Sequence, residues 1–414
     1  MRRKYIYYLL TAAMACVFMG GILNTQFIIV MKGQPWSPVF GWELIVAGWG
    51  ALMYALGSLF LAPLSDRFGR LPCIAAACAI MMVFQVIMGW HILGQYRIWH
   101  FFLYWGVECL FFALFFTGVE GLMSDYQDHR MPLARRLGLY CLSWAAGDTV
   151  GAFVTGYVKE AFGAEAMFRG FAAMMLVALG VVGVDWLRHG HRRFGERHVE
   201  VEDIHPEASF HARLGRIGIF FGCIAFSAVT AAFPRFGRDY HGLTEGVIGN
   251  ILSVNLFICA FTFIWFPFWK RWQYNVGLQI FLQLAMAAGL LMLFVAPRGG
   301  AYSLRAAFTL FGFGWSASYF FSIYYSLQVP AGHAKSGGFH EAVQGIGNLI
   351  GPVMAVGGMW AVGKAGLLTG ARIGVVAVIV GFAAVVFSIS LQMFLKKKNR
   401  RISPVRCHAG RVFY

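Results

Sequence analysis

Residues 62–71 read Ala62-Pro63-Leu64-Ser65-Asp66-Arg67-Phe68-Gly69-Arg70-Leu71, three charges set between two long apolar runs. A helix that crosses about 30 Å of hydrocarbon needs about 20 predominantly apolar residues. The runs on either side, 39–63 and 71–94, both qualify. A short charged loop between two such runs is the joint of a membrane-crossing helical hairpin. The alternation continues outward in both directions. Further windows lie at 6–31, 98–122, 136–158, 166–187, 216–234, 244–266, 276–296, 304–327, 339–363 and 371–395, which predicts twelve spans.

Composition agrees. Hydrophobic residues make up 59% of the 414 and charged residues 13%, against roughly 25% charged in soluble domains. A mean hydropathy of +0.65 cannot be spread over a water-facing surface without large apolar patches. A cytosolic enzyme, a disulfide scaffold and a disordered chain are excluded. The net charge of +16 invites a nucleic-acid reading, but its placement follows membrane topology. Of 34 Lys and Arg, 24 fall on the side that carries both termini and 10 on the other. The positive-inside rule then puts both termini in the cytoplasm of a cell-membrane protein. The first run is too long for a signal-peptide core of roughly 7–15 residues and is read as the first span. Seven of the eight cysteines lie in apolar stretches, without a CxxC pair or metal spacing, and read as buried thiols.

The longest polar stretch, His189 to Arg213, divides the chain into six spans and six. The expected organisation is a bundle at 1–187, a cytoplasmic linker at 188–213, and a second bundle at 214–414 with a basic tail. Shifting the chain on itself by 200 residues aligns Gly138 with Gly338, Gly147 with Gly347, Gly151 with Gly351 and Asp148 with Asn348. An offset of 204 places Pro63 on Pro267 and Arg67 on Arg271. The expectation is an all-α integral membrane protein of two pseudo-symmetric six-helix bundles. In transporters of that plan the solute sits near the midplane, between the halves.

The loop at 62–71 resembles the signature loop of the major facilitator superfamily, G-x-L-(A/S)-D-R-x-G-R-(R/K), with Ala62 and Leu71 as departures. Gly347-x-x-x-Gly351-Pro352 followed by Gly357-Gly358 resembles that family's antiporter glycine motif. It stands in the eleventh span rather than the fifth and with wider spacing, so no antiporter function is carried over. The resemblance implies a secondary transporter that works by alternating access. It also implies a conformational latch at Asp66, Arg67, Gly69 and Arg70, where Gly69 permits backbone angles that other residues resist. The start of the eleventh span near Gly338 is the expected partner.

Ionisable groups at membrane depth are expensive and read as functional by default. Glu108 and Asp148 lie about ten and about twelve residues into spans four and five, roughly 15–18 Å deep at about 1.5 Å per residue. They are the candidates for proton coupling. Cys141, Trp144, Asp148 and Thr155 share one helical stripe. Asn24 and Gln26, Asn250 and Asn255, Trp315 and Tyr319, and Gln344 and Asn348 fall on spans that line the cavity in the family, and with Trp144 they are the candidate solute-binding residues. His340 and Glu341, at the mouth of span eleven, are a candidate gate. Amides and aromatics suit a neutral or weakly cationic organic solute. The lack of a deep Lys or Arg disfavours organic phosphates and other multivalent anions.

No nucleophile–base pair, metal cluster or phosphate loop is found, so no catalytic residue, cofactor or metal is expected. The expected partners are a small solute, protons and the bilayer, without nucleic acid, and the chain is expected to work as a monomer. Proton symport of a polar solute, proton-driven export of lipophilic or cationic compounds, and a non-transporting sensor of transporter fold all remain open.

Overall fold

The structure, a computed structural model, describes residues 3–31, 42–90, 97–125, 131–189, 207–328, 333–362 and 370–402. Most of the expected linker, 190–206, lies outside the described residues. With no water to satisfy its polar groups in hydrocarbon, a crossing backbone must bond internally, and every crossing here is helical. The helices are α1 (Arg3–Met31), α2 (Trp42–Leu56), α3 (Ala62–Phe68), α4 (Arg70–Trp90), α5 (Ile98–Asp125), α6 (Leu133–Phe162) and α7 (Ala164–His189). They continue with α8 (Ala208–Asp239), α9 (Glu245–Trp265), α10 (Val276–Val295), α11 (Ala301–Leu327), α12 (His333–Val362) and α13 (Gly370–Ile402). Twelve spans among the described residues are long and apolar enough to cross a membrane. The second, Trp42–Ser65, joins α2 to α3 through a π-turn at Gly57–Leu61. Pro63 follows that turn. It has no N–H to give the ladder and its ring crowds the preceding turn, which a widened turn relieves.

The repeat is physical. α6 crosses α1 where Gly147 meets the carbonyl of Ala12 and Gly151 that of Cys16. α12 crosses α8 in the same way, Gly347 against the carbonyl of Phe220 and Gly351 against that of Ile224. A Cβ at these four glycines would stand 2.0, 2.5, 2.6 and 2.3 Å from those oxygens, closer than atoms can approach. Small residues let membrane helices come this near, where packing rather than the hydrophobic effect holds them together. The fifth span therefore sits on the first as the eleventh sits on the seventh, and two pseudo-symmetric six-helix bundles result. The bundles meet along α6 with α9 and along α2 with α12, the pairs that a two-fold axis exchanges.

α10 and α13 stand outside this interface and are tied to α8 by a buried amide cluster. Gln279 Nε2 donates to the Leu214 carbonyl at 3.2 Å, and Ser388 Oγ to Gln283 Oε1 at 2.8 Å. Large apolar side chains such as Leu187, Phe281 and Val295 remain exposed on the outer helix faces, as lipid contact requires.

Candidate functional site

Halfway along the spans the helices part around a cavity of about 190 Å³. Its wall takes residues from α1, α2, α5, α6, α8, α9, α11 and α12. Aromatic rings make up nine of its 27 lining residues. Trp144 meets Trp315 at 6.2 Å and Tyr319 at 5.1 Å, edge to face, while Trp315 and Tyr319 lie 5.7 Å apart. Phe226 stacks behind Trp315 at 4.5 Å. Elsewhere in the wall Phe18 stacks on Trp105 at 5.6 Å. The helix spacing of three and four residues presents Trp144 and Asp148 on one face of α6, and Glu341, Gln344 and Asn348 on one face of α12.

Two carboxylates line this cavity. Asp148 is 8% exposed, and its Oδ1 makes no hydrogen bond. Glu341 accepts from the Tyr54 hydroxyl at 3.0 Å and from the Tyr319 hydroxyl at 3.4 Å. Those tyrosines come from α2 and α11, so one carboxylate is held by both bundles. The lining also carries Gln26 Oε1, Gln344 Oε1 and Asn348 Oδ1 without hydrogen-bond partners. Among the described residues that line it there is no Lys, Arg or His.

Of the nine candidate solute-binding residues, six meet here: Gln26, Trp144, Trp315, Tyr319, Gln344 and Asn348. Three lie outside the lining, at contacts with other helices. Asn24 Nδ2 donates to the Ala164 carbonyl on α7 at 3.3 Å. Asn250 Oδ1 accepts from Arg305 Nε at 2.9 Å. Asn255 packs on the backbone of Gly312 in α11, where a Cβ would lie 2.5 Å from its Oδ1. Glu108 is fully buried but faces α4 beside Gln85 and is not part of the lining. Glu341 lies in the cavity wall rather than at a mouth, and the His340 ring next to it turns to Ser322 Oγ at 3.0 Å. Tyr54, which no sequence signal marked, is the group that brings α2 to Glu341. Among the described residues there is no cluster of three metal-ligating side chains.

The signature loop is partly visible. Gly69 has φ +94° and ends α3, so α4 can start at once with Arg70. Gly69→Val is expected to lower stability by about 1–3 kcal/mol in a thermal-unfolding measurement, because a branched residue is strained at positive φ. Arg70 lies over Gly121 of α5, where a Cβ would be 2.0 Å from its guanidinium. Arg67 stacks on Phe68 at 5.4 Å. The Asp66 side chain and the side chains around Gly338 lie outside the described residues.

A set of ties between the bundles crosses the face opposite the start of α1 and the end of α13. Glu43 at the head of α2 contacts Arg235 near the end of α8 at 2.6 and 2.9 Å. Lys159 of α6 pairs with Glu245 of α9 at 2.6 Å, and Glu160 accepts from the Gly246 N–H at 2.8 Å. Arg238 donates to the carbonyl of Val30. Glu43 and Arg235 are 0% and 4% exposed, so this closure keeps water off the pair.

The family model of the Major Facilitator Superfamily matches residues 8–352, and the chain belongs to that superfamily. It is a multi-pass membrane protein with a secondary-transporter fold, not an enzyme. Among solved structures it is similar to the nucleoside transporter NupG, with a TM-score of 0.67, 13% identity, and coverage of 96% of this chain and 100% of that one. It is equally similar to a bacterial homologue of the human drug peptide transporters PepT1 and PepT2, with a TM-score of 0.67, 13% identity, and coverage of 96% and 99%. A search of curated protein sequences found no match.

Proposed function

We propose that this chain is a proton-coupled secondary active transporter of a small organic solute, working by alternating access between halves 1–187 and 214–414. The observation that carries the reading is Glu341, a carboxylate in the cavity wall that accepts hydroxyls from both bundles. Hydrogen bonds to a charged group are worth about 1.5–3 kcal/mol and neutral ones about 0.5–1.5. A proton on Glu341 therefore loosens one link between the halves, which ties protonation to their rocking. Asp148 is the second proton-coupling carboxylate of the cavity, and Glu108 acts through the packing of α4 and α5.

The distribution of Lys and Arg supports cytoplasmic termini in the cell membrane, so the Glu43–Arg235 face is the outer gate. Asp66, Arg67, Gly69 and Arg70 form the latch on the inner side. One chain supplies the whole cavity wall, which supports function as a monomer. Nucleosides and peptides, the solutes named for the two similar structures, belong in the first panel.

The test uses proteoliposomes of the full chain with an imposed pH gradient and labelled uridine, dialanine, glucose or tyramine. Protein-dependent flux of at least one solute, abolished by a protonophore, is the expected result. In Glu341→Gln the gradient-driven accumulation of that solute should fall about 10-fold or more, the loss of one charge-assisted link. No gradient-dependent flux of any of the four solutes overturns the transport reading, and solute binding without flux makes the protein a sensor.

A further inference from the structure

The cavity has a chemical bias that narrows its cargo. Asp148, Gln26, Gln344 and Asn348 line it, and their Oδ1, Oε1, Oε1 and Oδ1 atoms have no hydrogen-bond donor. The amides can turn to show either end, but a carboxylate presents only acceptors while ionised. Asp148 is thus the fixed feature of the set. One helical turn before it stands Trp144, and Trp315 and Tyr319 complete a corner of three rings within 6.2 Å of one another. A ring face attracts a cation within about 6 Å, most strongly where water is excluded. Glu341 adds a second acidic group and no basic side chain offsets the pair among the described lining residues. A solute with a free carboxylate or phosphate finds no counter-charge here. A primary or secondary ammonium on an aromatic or apolar body finds an acceptor, ring faces and an apolar wall.

We propose that the cargo of this site is a small organic ammonium that pairs with Asp148 and exchanges there for the proton this carboxyl holds between cargoes. The proposal rests on the proton-coupled transporter reading above. The step balances. The Asp148 carboxyl gives its proton to water, the ammonium takes its place beside the carboxylate, and the charge of the cavity is unchanged. Proton and cargo then compete for one group, so the exchange at Asp148 is electroneutral.

Other titratable groups surround the two acids. Glu341 is faced by Tyr54 from α2, Glu120 from α5, Tyr140 and Cys141 from α6, Cys223 from α8 and Tyr319 from α11. Asp148 is faced by Cys16 from α1 and Cys259 from α9. Glu120 also interacts with Arg70. Against Asp148 these neighbours are thiols and not cations.

The experiment is calorimetry of the purified full chain with tyramine, its neutral isostere tyrosol and its zwitterionic carboxylated analogue tyrosine, with uridine and dialanine as further ligands. Each titration is run in two buffers of different ionisation enthalpy, which counts protons. Tyramine should bind with release of about one proton, and its affinity should rise by up to about 10-fold per pH unit while Asp148 remains protonated. Tyrosol, tyrosine, uridine and dialanine should bind at least about 30-fold more weakly, the loss of a buried charge pair. Asp148→Asn should weaken tyramine by about 100-fold or more and remove the proton release. Should that variant fail to fold, the proton count on the unaltered protein decides.

Tyrosol or uridine binding as tightly as tyramine, tyramine binding without proton release, or no tyramine binding at all overturns the cargo assignment. Gradient-driven flux of uridine or dialanine alongside such a result leaves the transporter reading standing. Tyramine binding with proton release but without flux does the reverse.

Discussion

In Glu43→Ala, Cys109 is expected to react with a membrane-impermeant maleimide added from the side on which Glu43 meets Arg235 about 100-fold faster than in the unaltered protein. The ion pair of Glu43 with Arg235 is bidentate, with both partners shielded from water. Truncating one partner of such a pair costs about 3–5 kcal/mol, because the remaining charge stays buried without its counter-charge. That cost falls on the closed state alone, since opening returns the Arg235 guanidinium to water. A shift of 1.4 kcal/mol is tenfold in an equilibrium, so even a discounted penalty moves the population by two orders of magnitude. Cys109 lines the cavity and reports the change by mass spectrometry. Glu43→Gln keeps one hydrogen-bonding partner and should fall between the two. Adding Arg235→Ala should bring labelling back toward the starting rate. Unchanged labelling in a folded Glu43→Ala protein would show that closure of this face does not depend on the pair.

Gly147→Val should lower the stability of the purified protein by about 3 kcal/mol or more, the upper end of overpacking costs. The reason is local and not adjustable. A Cβ there would stand 2.0 Å from the carbonyl oxygen of Ala12, and a backbone atom in a helix cannot swing aside as a side chain can. α1 and α6 must separate, which also displaces Asp148. Gly347→Val, at the equivalent crossing of α12 and α8, has 2.6 Å to the Phe220 carbonyl and should cost less. Gly170→Val is the control, since nothing lies within 4 Å of a Cβ at that position. Thermal unfolding in detergent orders the three, and equal losses would remove the repeat's close crossings as the cause.

These crossings show how far the sequence reaches. The 200-residue shift pairs Gly147 with Gly347 and Gly151 with Gly351 because duplicated helices need the same small residues wherever they touch. The twelve spans are legible for a comparable reason. Each helix satisfies its backbone within itself, so its existence depends only on its own apolar residues. Gly69 is legible because a positive φ is a property of one residue and the turn it makes.

The rotation of each helix about its axis was legible only in part. Asn24 and Gln26 are two residues apart on α1, yet one caps the Ala164 carbonyl on α7 and the other enters the cavity. Glu108 and Cys109 are neighbours, and the cysteine, not the carboxylate, lines the site. In water a polar stripe marks the solvent face. Here lipid is as apolar as a protein core, so hydrophobicity does not tell the face against lipid from the face against another helix.

Sequence by itself therefore determined the twelve helices, the repeat, the superfamily and a cavity rich in tryptophan, tyrosine and amides. Only the tertiary structure decided that Asp148 and Glu341 share that cavity, that Tyr54 and Tyr319 bind Glu341 from two bundles, and that Arg235 meets Glu43. These are contacts between residues as much as 287 apart in the chain. They follow from how helices rotate and cross, and that is fixed by the sum of packing at every neighbour rather than by any one segment.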